Sequence, residues 1–83
     1  MIRVLYFARL REALGMEAES LEWTTPASIA ELKRQLAGRG DVWQEQFVSN
    51  ASLRAAINQT LAPETATVHP GDEVAFFPPV TGG

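Results

Sequence analysis

Thr25-Pro26-Ala27-Ser28-Ile29-Ala30-Glu31-Leu32-Lys33-Arg34-Gln35-Leu36-Ala37-Gly38 carries the clearest helical pattern in this chain. Thr25 suits an N-cap with Pro26 at the first helical position, and Ser28-x-x-Glu31 offers an alternative capping box one turn later. Ile29, Leu32 and Leu36 recur at helical spacing and form one apolar stripe. Lys33 and Arg34 lie toward the C-terminal end of the helix dipole, and Gly38 or Gly40 is placed to end the element.

The flanking segments read mostly as strands. On the N-terminal side, Glu19 to Thr24 alternates with Leu21 and Trp23 on one face, a strand hairpinned to the one before it. That earlier strand is Ile2 to Phe7, with Ile2, Val4 and Tyr6 on one face and Leu5 and Phe7 on the other. Apolar residues on both faces predict a central position in a sheet. Between them, Arg9 to Gly15 is a short helical connection with Leu10 and Leu14 four apart. On the C-terminal side, Trp43 and Phe47 suggest a short helical turn over the core. Leu53 to Ile57 alternates as a strand, with Leu53, Ala55 and Ile57 inward; His69-Pro70-Gly71-Asp72 is a turn, and Glu73 to Phe77 is the last strand. One helix covers one face of a sheet. The expected fold is therefore α+β, a mixed sheet of four to five strands with one main helix packed on one face. Adjacent, parallel first and last strands would make it a β-grasp.

Bulk composition narrows the function. Eighty-three residues make a single domain, and a hydrophobic fraction of 46% is ordinary for a globular chain. There is no cysteine, hence no disulfide, thiolate metal site or thiol nucleophile, which fits a cytoplasmic protein. A net charge of −3 with scattered cations argues against nucleic acid as a partner. The apolar runs are too short for a bilayer, and Met1-Ile2-Arg3-Val4 enters a strand pattern rather than a signal peptide. No membrane partner is expected.

An internal catalytic site is hard to assemble from these residues, and whether the chain is itself an enzyme stays open. His69 is the single histidine and reads as a turn residue. Asp72 and Glu73 make at most a weak metal pair, so neither a metal nor a cofactor is assigned to this chain. Asn58-Gln59-Thr60 matches a glycosylation sequon without consequence in a cytosolic chain, and Gly38-Arg39-Gly40 lacks the strand context of a phosphate loop. Attention moves to the C-terminal end. Phe76 and Phe77 must point to opposite faces of their strand; Phe76 shares the parity of Val74 and is assigned inward, leaving Phe77 outward as a partner anchor. The expected division is a β-grasp domain over residues 1–79 and a flexible Gly-Gly tail over 80–83. Pro78-Pro79 stiffens the exit, and Val80, Thr81, Gly82 and Gly83 can extend about 13–14 Å further at ~3.3–3.6 Å per residue. A terminal Gly-Gly presents a carboxylate on a stalk without side chains. That carboxylate is a poor electrophile until a partner activates it, for example as an acyl-adenylate.

The segments Met1-Ile2-x-Val4-Leu5-x-Phe7-Ala8, Arg11-Glu12, Ala56-x-Asn58-Gln59-Thr60 and Gly71-Asp72-Glu73-Val74-Ala75-Phe76-Phe77-Pro78-Pro79-Val80-Thr81-Gly82-Gly83 closely resemble the small subunits of molybdopterin synthase. The similarity runs from the first residue to the last, while Asp41 to Asn50 contributes little. The resemblance implies a ubiquitin-like β-grasp fold and a sulfur-carrier role in molybdenum cofactor biosynthesis. It implies that a ubiquitin-activating-like adenylating enzyme, holding the ATP and Mg²⁺, activates Gly83. A sulfur donor such as a cysteine desulfurase system then converts it to a thiocarboxylate. It further implies a heterotetramer with the large synthase subunit, into which Gly82 and Gly83 thread. There the sulfur passes to cyclic pyranopterin monophosphate. Phe7, Leu61 and Phe77, with Pro79, Val80 and Thr81, are the implied partner-binding residues. A chain without cysteine also has no thiol to attack its own activated terminus. Two rivals remain open: a carrier for thiamine or tRNA thiolation or a ubiquitin-like modifier, and a non-catalytic β-grasp interaction module.

Overall fold

The computed structural model describes residues 1–49 and 52–79. Asn50, Ala51 and the tail residues Val80, Thr81, Gly82 and Gly83 lie outside the described residues. The elements run β1 (Ile2–Tyr6), α1 (Ala8–Leu14), β2 (Ala18–Leu21), β3 (Ala27–Ser28), α2 (Ile29–Ala37) and α3 (Asp41–Gln44). A π-helical turn (Glu45–Ser49) then leads to β4 (Arg54–Ile57), β5 (Thr60–Ala62), β6 (Thr67–Val68) and β7 (Glu73–Phe77).

Five strands form a mixed sheet in the order β2-β1-β7-β4-β5. The first and last strands are neighbours and parallel, in the register Val4 to Val74 and Tyr6 to Phe76; the other pairings in this sheet are antiparallel. A strand buried on both edges of its backbone, like β1 or β7, needs apolar residues at every inward position. Ile2, Val4, Tyr6, Val74 and Phe76 supply them, each at most 1% exposed. Against them pack Ile29, Leu32 and Leu36 of α2, Leu10 of α1 and Phe47. The Phe47 ring meets Phe76 edge-on at 5.1 Å, and Tyr6 stacks on Phe76 at 6.4 Å. This is the β-grasp architecture, α+β with helices on one face of a five-stranded sheet.

Three local readings are corrected by tertiary context. Helix α2 starts at Ser28, whose Oγ accepts from the Glu31 N–H at 3.1 Å, and not at Thr25. Ala27 and Ser28 are occupied in a two-stranded ladder with Thr67 and Val68, and the Ile29 and Ala30 N–H groups donate to the Ala66 and Glu64 carbonyls. A helix begun at Pro26 forfeits those bonds. Trp23 falls beyond the end of β2 yet is buried with Leu21, its Nε1–H donating to the Val68 carbonyl at 3.2 Å. Lys33, read as a cation for the helix dipole, is 7% exposed instead and reaches into the fold.

Asn58-Gln59 forms the two-residue turn of the β4–β5 hairpin, with φ values of 50° and 70°. Both central residues of a type I′ turn require positive φ, and asparagine tolerates it best after glycine. The Asn58 side chain also donates to Asp72 and accepts from the Glu73 N–H, tying the hairpin to the start of β7. The sequon is thus a turn with a structural duty.

A polar network closes the core at the β2 edge of the sheet. Tyr6 donates to Glu19 Oε2 at 2.7 Å, and Arg39 donates to both Glu19 oxygens at 2.7 and 3.0 Å. The Arg39 guanidinium lies 4.7 Å over the Trp43 ring. Burial alone would raise the Glu19 carboxyl, but the bonds from Arg39 and Tyr6 outweigh it and hold it below the usual carboxylate range. A carboxyl depressed in the folded state stabilises the fold above its unfolded pKa of about 4.3, and that contribution disappears as pH falls through the folded value. Glu19→Gln is therefore expected to lower stability at pH 7, with the gap to wild type closing below about pH 4. Urea titrations across pH check this; a gap independent of pH contradicts it.

Candidate docking face and tail root

Because side chains alternate along a strand, the residues not facing the helices share the other face of the sheet. Register aligns Leu61, Ala56, Ala75, Leu5 and Ala18 in one row across all five strands. Phe77, two residues from Ala75, stands on the same face, opposite Arg54. The buried apolar residues of α1 and α2 all belong to the core on the far side, so these helices leave this face uncovered. The row is apolar and shallow at its centre, where two alanines sit side by side. Leu61 at one edge is 63% exposed, and Phe77 is half-buried.

Phe7 completes the patch. It follows β1 in extended conformation, its N–H donating to the Phe76 carbonyl at 3.1 Å, while its own carbonyl accepts from Leu10 and Arg11 at the start of α1. The next residue, Ala8, has φ of 53°. A left-handed alanine is strained, and such strain persists only where its surroundings impose it. Here it turns the chain sharply from strand into helix and leaves the Phe7 ring 47% exposed. Phe7 and Leu5 also line a small depression flanked by Arg3 and Arg11.

The three aromatic and aliphatic residues expected at a docking surface, Phe7, Leu61 and Phe77, therefore lie on one sheet face. Phe76 is inward, at 0% exposure. Leu5, which the sequence already places on the face of Phe7, joins the three anchors together with Ala56 and Ala75, which were not singled out. Their signal was strand parity combined with a register that only the fold supplies. Pro78 and Pro79 carry the chain away from the end of β7 and, with Ala8, Arg9 and Leu53, border a depression at the root of the tail. Val80, Thr81, Gly82 and Gly83 fall outside the described residues.

No other site competes within the described residues. No three His, Asp or Glu side chains converge there as a metal-binding group. His69 sits in the turn before β7, its Nδ1 3.8 Å from Asp72, whose carboxylate accepts from the His69 N–H. That bond, then the Asn58 amide, holds the Asp72 carboxyl below its ordinary value, which reflects turn structure rather than catalysis. No helix among the described residues is long and apolar enough to cross a membrane.

Comparison with known proteins adds three findings. The model of the ThiS family matches residues 4–83. Proteins named molybdopterin synthase sulfur carrier subunit, from Haemophilus influenzae and Escherichia coli, are 46% and 42% identical over 83 residues, the whole of both chains in each case. Among solved structures, SAMP1 from Haloferax volcanii superposes with a TM-score of 0.77 at 22% identity, covering 99% of this chain and 98% of that one. A chain from a protein-protein complex of subunits 1 and 2 of molybdopterin-converting factor from Helicobacter pylori superposes with a TM-score of 0.66 at 19% identity, covering 99% and 97%. The two structures share the fold.

Proposed function

The chain belongs to the ThiS family, together with the molybdopterin synthase sulfur carrier subunits, and from that premise we propose that it carries sulfur on Gly83 for molybdenum cofactor biosynthesis. In this reading a partner enzyme holding ATP and Mg²⁺ joins the Gly83 carboxylate to AMP, releasing pyrophosphate. A persulfide supplied by a desulfurase system then displaces AMP to give an acyl disulfide, and a thiol cleaves its S–S bond, leaving the thiocarboxylate and carrying the other sulfur away as a disulfide. The charged carrier docks on the large synthase subunit, two carriers to a dimer of large subunits, and passes its sulfur to cyclic pyranopterin monophosphate. The body over residues 1–79 serves to dock, and residues 80–83 to reach.

The observation that carries this reading is the coincidence of patch and tail on one strand. Strand β7 bears Phe77 on the uncovered face and runs through Pro78 and Pro79 into Val80-Thr81-Gly82-Gly83. A partner seated on Phe7, Leu61 and Phe77 receives the terminus within about 13–14 Å of Pro79. Aromatic anchors at the centre of an interface contribute most of its affinity. Phe77→Ala is accordingly expected to weaken binding to the large subunit by roughly 2 kcal/mol, about 30-fold. Its cost to folding should be smaller, because the ring is only half-buried. Calorimetric titration against the large subunit beside urea denaturation checks both; unchanged affinity contradicts the docking assignment. The function itself is tested by reconstitution with adenylating enzyme, ATP, sulfur donor, large subunit and the pterin precursor. Formation of the dithiolene pterin is expected, and its absence under conditions where a known carrier supports it overturns the reading. It also separates this role from carriers of other thiolation pathways.

A further inference from the structure

Lys33 is the single lysine of the chain. Its side chain is only 8% exposed; Nζ donates to the Leu53 carbonyl at 3.3 Å and to Glu64 Oε1 at 2.8 Å. Enclosing an ammonium in a small core is costly, and an aliphatic residue of similar size commonly serves stability as well or better. Leu53 carries a second contact of interest, for it also borders the depression formed by Pro78 and Pro79. The one side-chain amine therefore contacts a residue on the rim of the depression at the root of the tail. The other amine, at Met1, is remote. The Met1 carbonyl accepts from Gly71, before the start of β7, whereas the tail leaves from the opposite end of that strand. Five strand residues at ~3.3 Å each put about 17 Å between the two ends, more than the tail spans.

An acyl group activated at Gly83 is open to attack by amines as well as by sulfur nucleophiles. An uncharged lysine nitrogen attacks the carbonyl carbon, the C–N bond forms, the leaving group departs with its electron pair, and the nitrogen loses a proton to water. Enclosed in the fold and held by both the Leu53 carbonyl and the Glu64 carboxylate, the Lys33 nitrogen has no open path to that carbon. We propose that Glu64 and the Leu53 carbonyl seal Lys33 so that the activated terminus is not captured by the chain's own amine, leaving it for an external sulfur acceptor. Glu64, which also compensates the enclosed ammonium, is thereby a positioning residue for acceptor choice. The proposal rests on the reading that Gly83 is activated, but its test does not need the partner enzymes.

The full chain is prepared as a Gly83 α-thioester of mercaptoethanesulfonate, an activated acyl group independent of any adenylating enzyme. Attack by an amine then breaks the C–S bond and expels the thiol. Wild type, Glu64→Ala, Glu64→Ala combined with Lys33→Arg, and Arg34→Lys are incubated at neutral pH and analysed by intact mass and peptide mapping. Arg34 is exposed and borders the same shallow depression as Lys33 and Glu64, so its replacement offers an unsealed amine on that surface. Wild type is expected to hydrolyse, while Glu64→Ala and Arg34→Lys each give at least tenfold more intrachain isopeptide. Lys33→Arg should remove the product formed by Glu64→Ala. The proposal is overturned if either lysine-exposing variant stays at the wild-type level, or if the product survives Lys33→Arg. Thermal melting of each variant excludes unfolding as the cause of any gain. Failure of the sulfur-carrier reading would show separately, as no pyrophosphate release with adenylating enzyme and ATP, while the thioester result stands.

Discussion

Deletion of Gly83 is expected to abolish sulfur transfer while leaving the melting temperature at its wild-type value. The tail then ends one residue short, about 3.3–3.6 Å from where the reacting carboxyl group belongs. Misplacement of a reacting group by even 1 Å can cost about 100-fold in rate, so a full residue should exceed that and leave no measurable transfer. Glycine has no apolar side chain to bring to a core, and among the described residues the buried cluster runs from Ile2 to Phe76. Thermal melting and a single-turnover transfer assay on the same preparation separate the two quantities. A variant that transfers normally, or one that melts many degrees lower, contradicts the division between docking body and reaching tail.

Phe76→Ala is the opposite experiment, with a large expected loss of stability. Phe76 is fully buried in the central strand, facing Phe47 edge-on and stacked on Tyr6. Truncating such a ring removes its transfer free energy and leaves a cavity between helices and sheet, at a cost of about 3–5 kcal/mol. Domains of this size are stable by roughly 0.05–0.15 kcal/mol per residue, so the variant should be partly unfolded at 37 °C. Equilibrium urea denaturation measures it, with Phe77→Ala as the neighbouring control on the other face. A loss below about 1.5 kcal/mol would place Phe76 outside the central packing.

The contrast between these adjacent phenylalanines shows what a sequence can disclose. Their opposite orientation follows from the pleat, and the parity of Val74 assigns the inward one. The stripe Ile29, Leu32, Leu36 and the doubly apolar run Ile2 to Phe7 likewise disclosed a helix on a sheet and a central strand. Both signals are periodicities of burial, which local sequence records directly.

Features that depend on partners distant in sequence were not legible. Thr25-Pro26 is a good helix start by itself; Ser28 prevails because Ala27 and Ser28 pair with Thr67 and Val68, forty residues on by register. Lys33 looked like a solvated cation at a helix end, and its burial depends on Leu53 and Glu64 coming to meet it. Asn58-Gln59 resembled a sequon without use because its turn becomes evident only when β5 is recognised. The docking patch was half legible: parity pointed to Phe77 and put Leu5 on the face of Phe7, resemblance added Phe7 and Leu61 as anchors, but Ala56 and Ala75 required the sheet order. Gly82 and Gly83 stand out in the sequence for the converse reason, since they add nothing to any core.

The central claim is that the carboxylate of Gly83 is the reacting group. Its most direct measurement is a mass spectrum of the C-terminal peptide after incubation with adenylating enzyme, ATP, Mg²⁺ and a sulfur donor. Replacement of one carboxylate oxygen by sulfur at Gly83, dependent on ATP and on the donor, is the expected result. A C-terminal peptide of unchanged mass, under conditions that charge a known carrier, contradicts it.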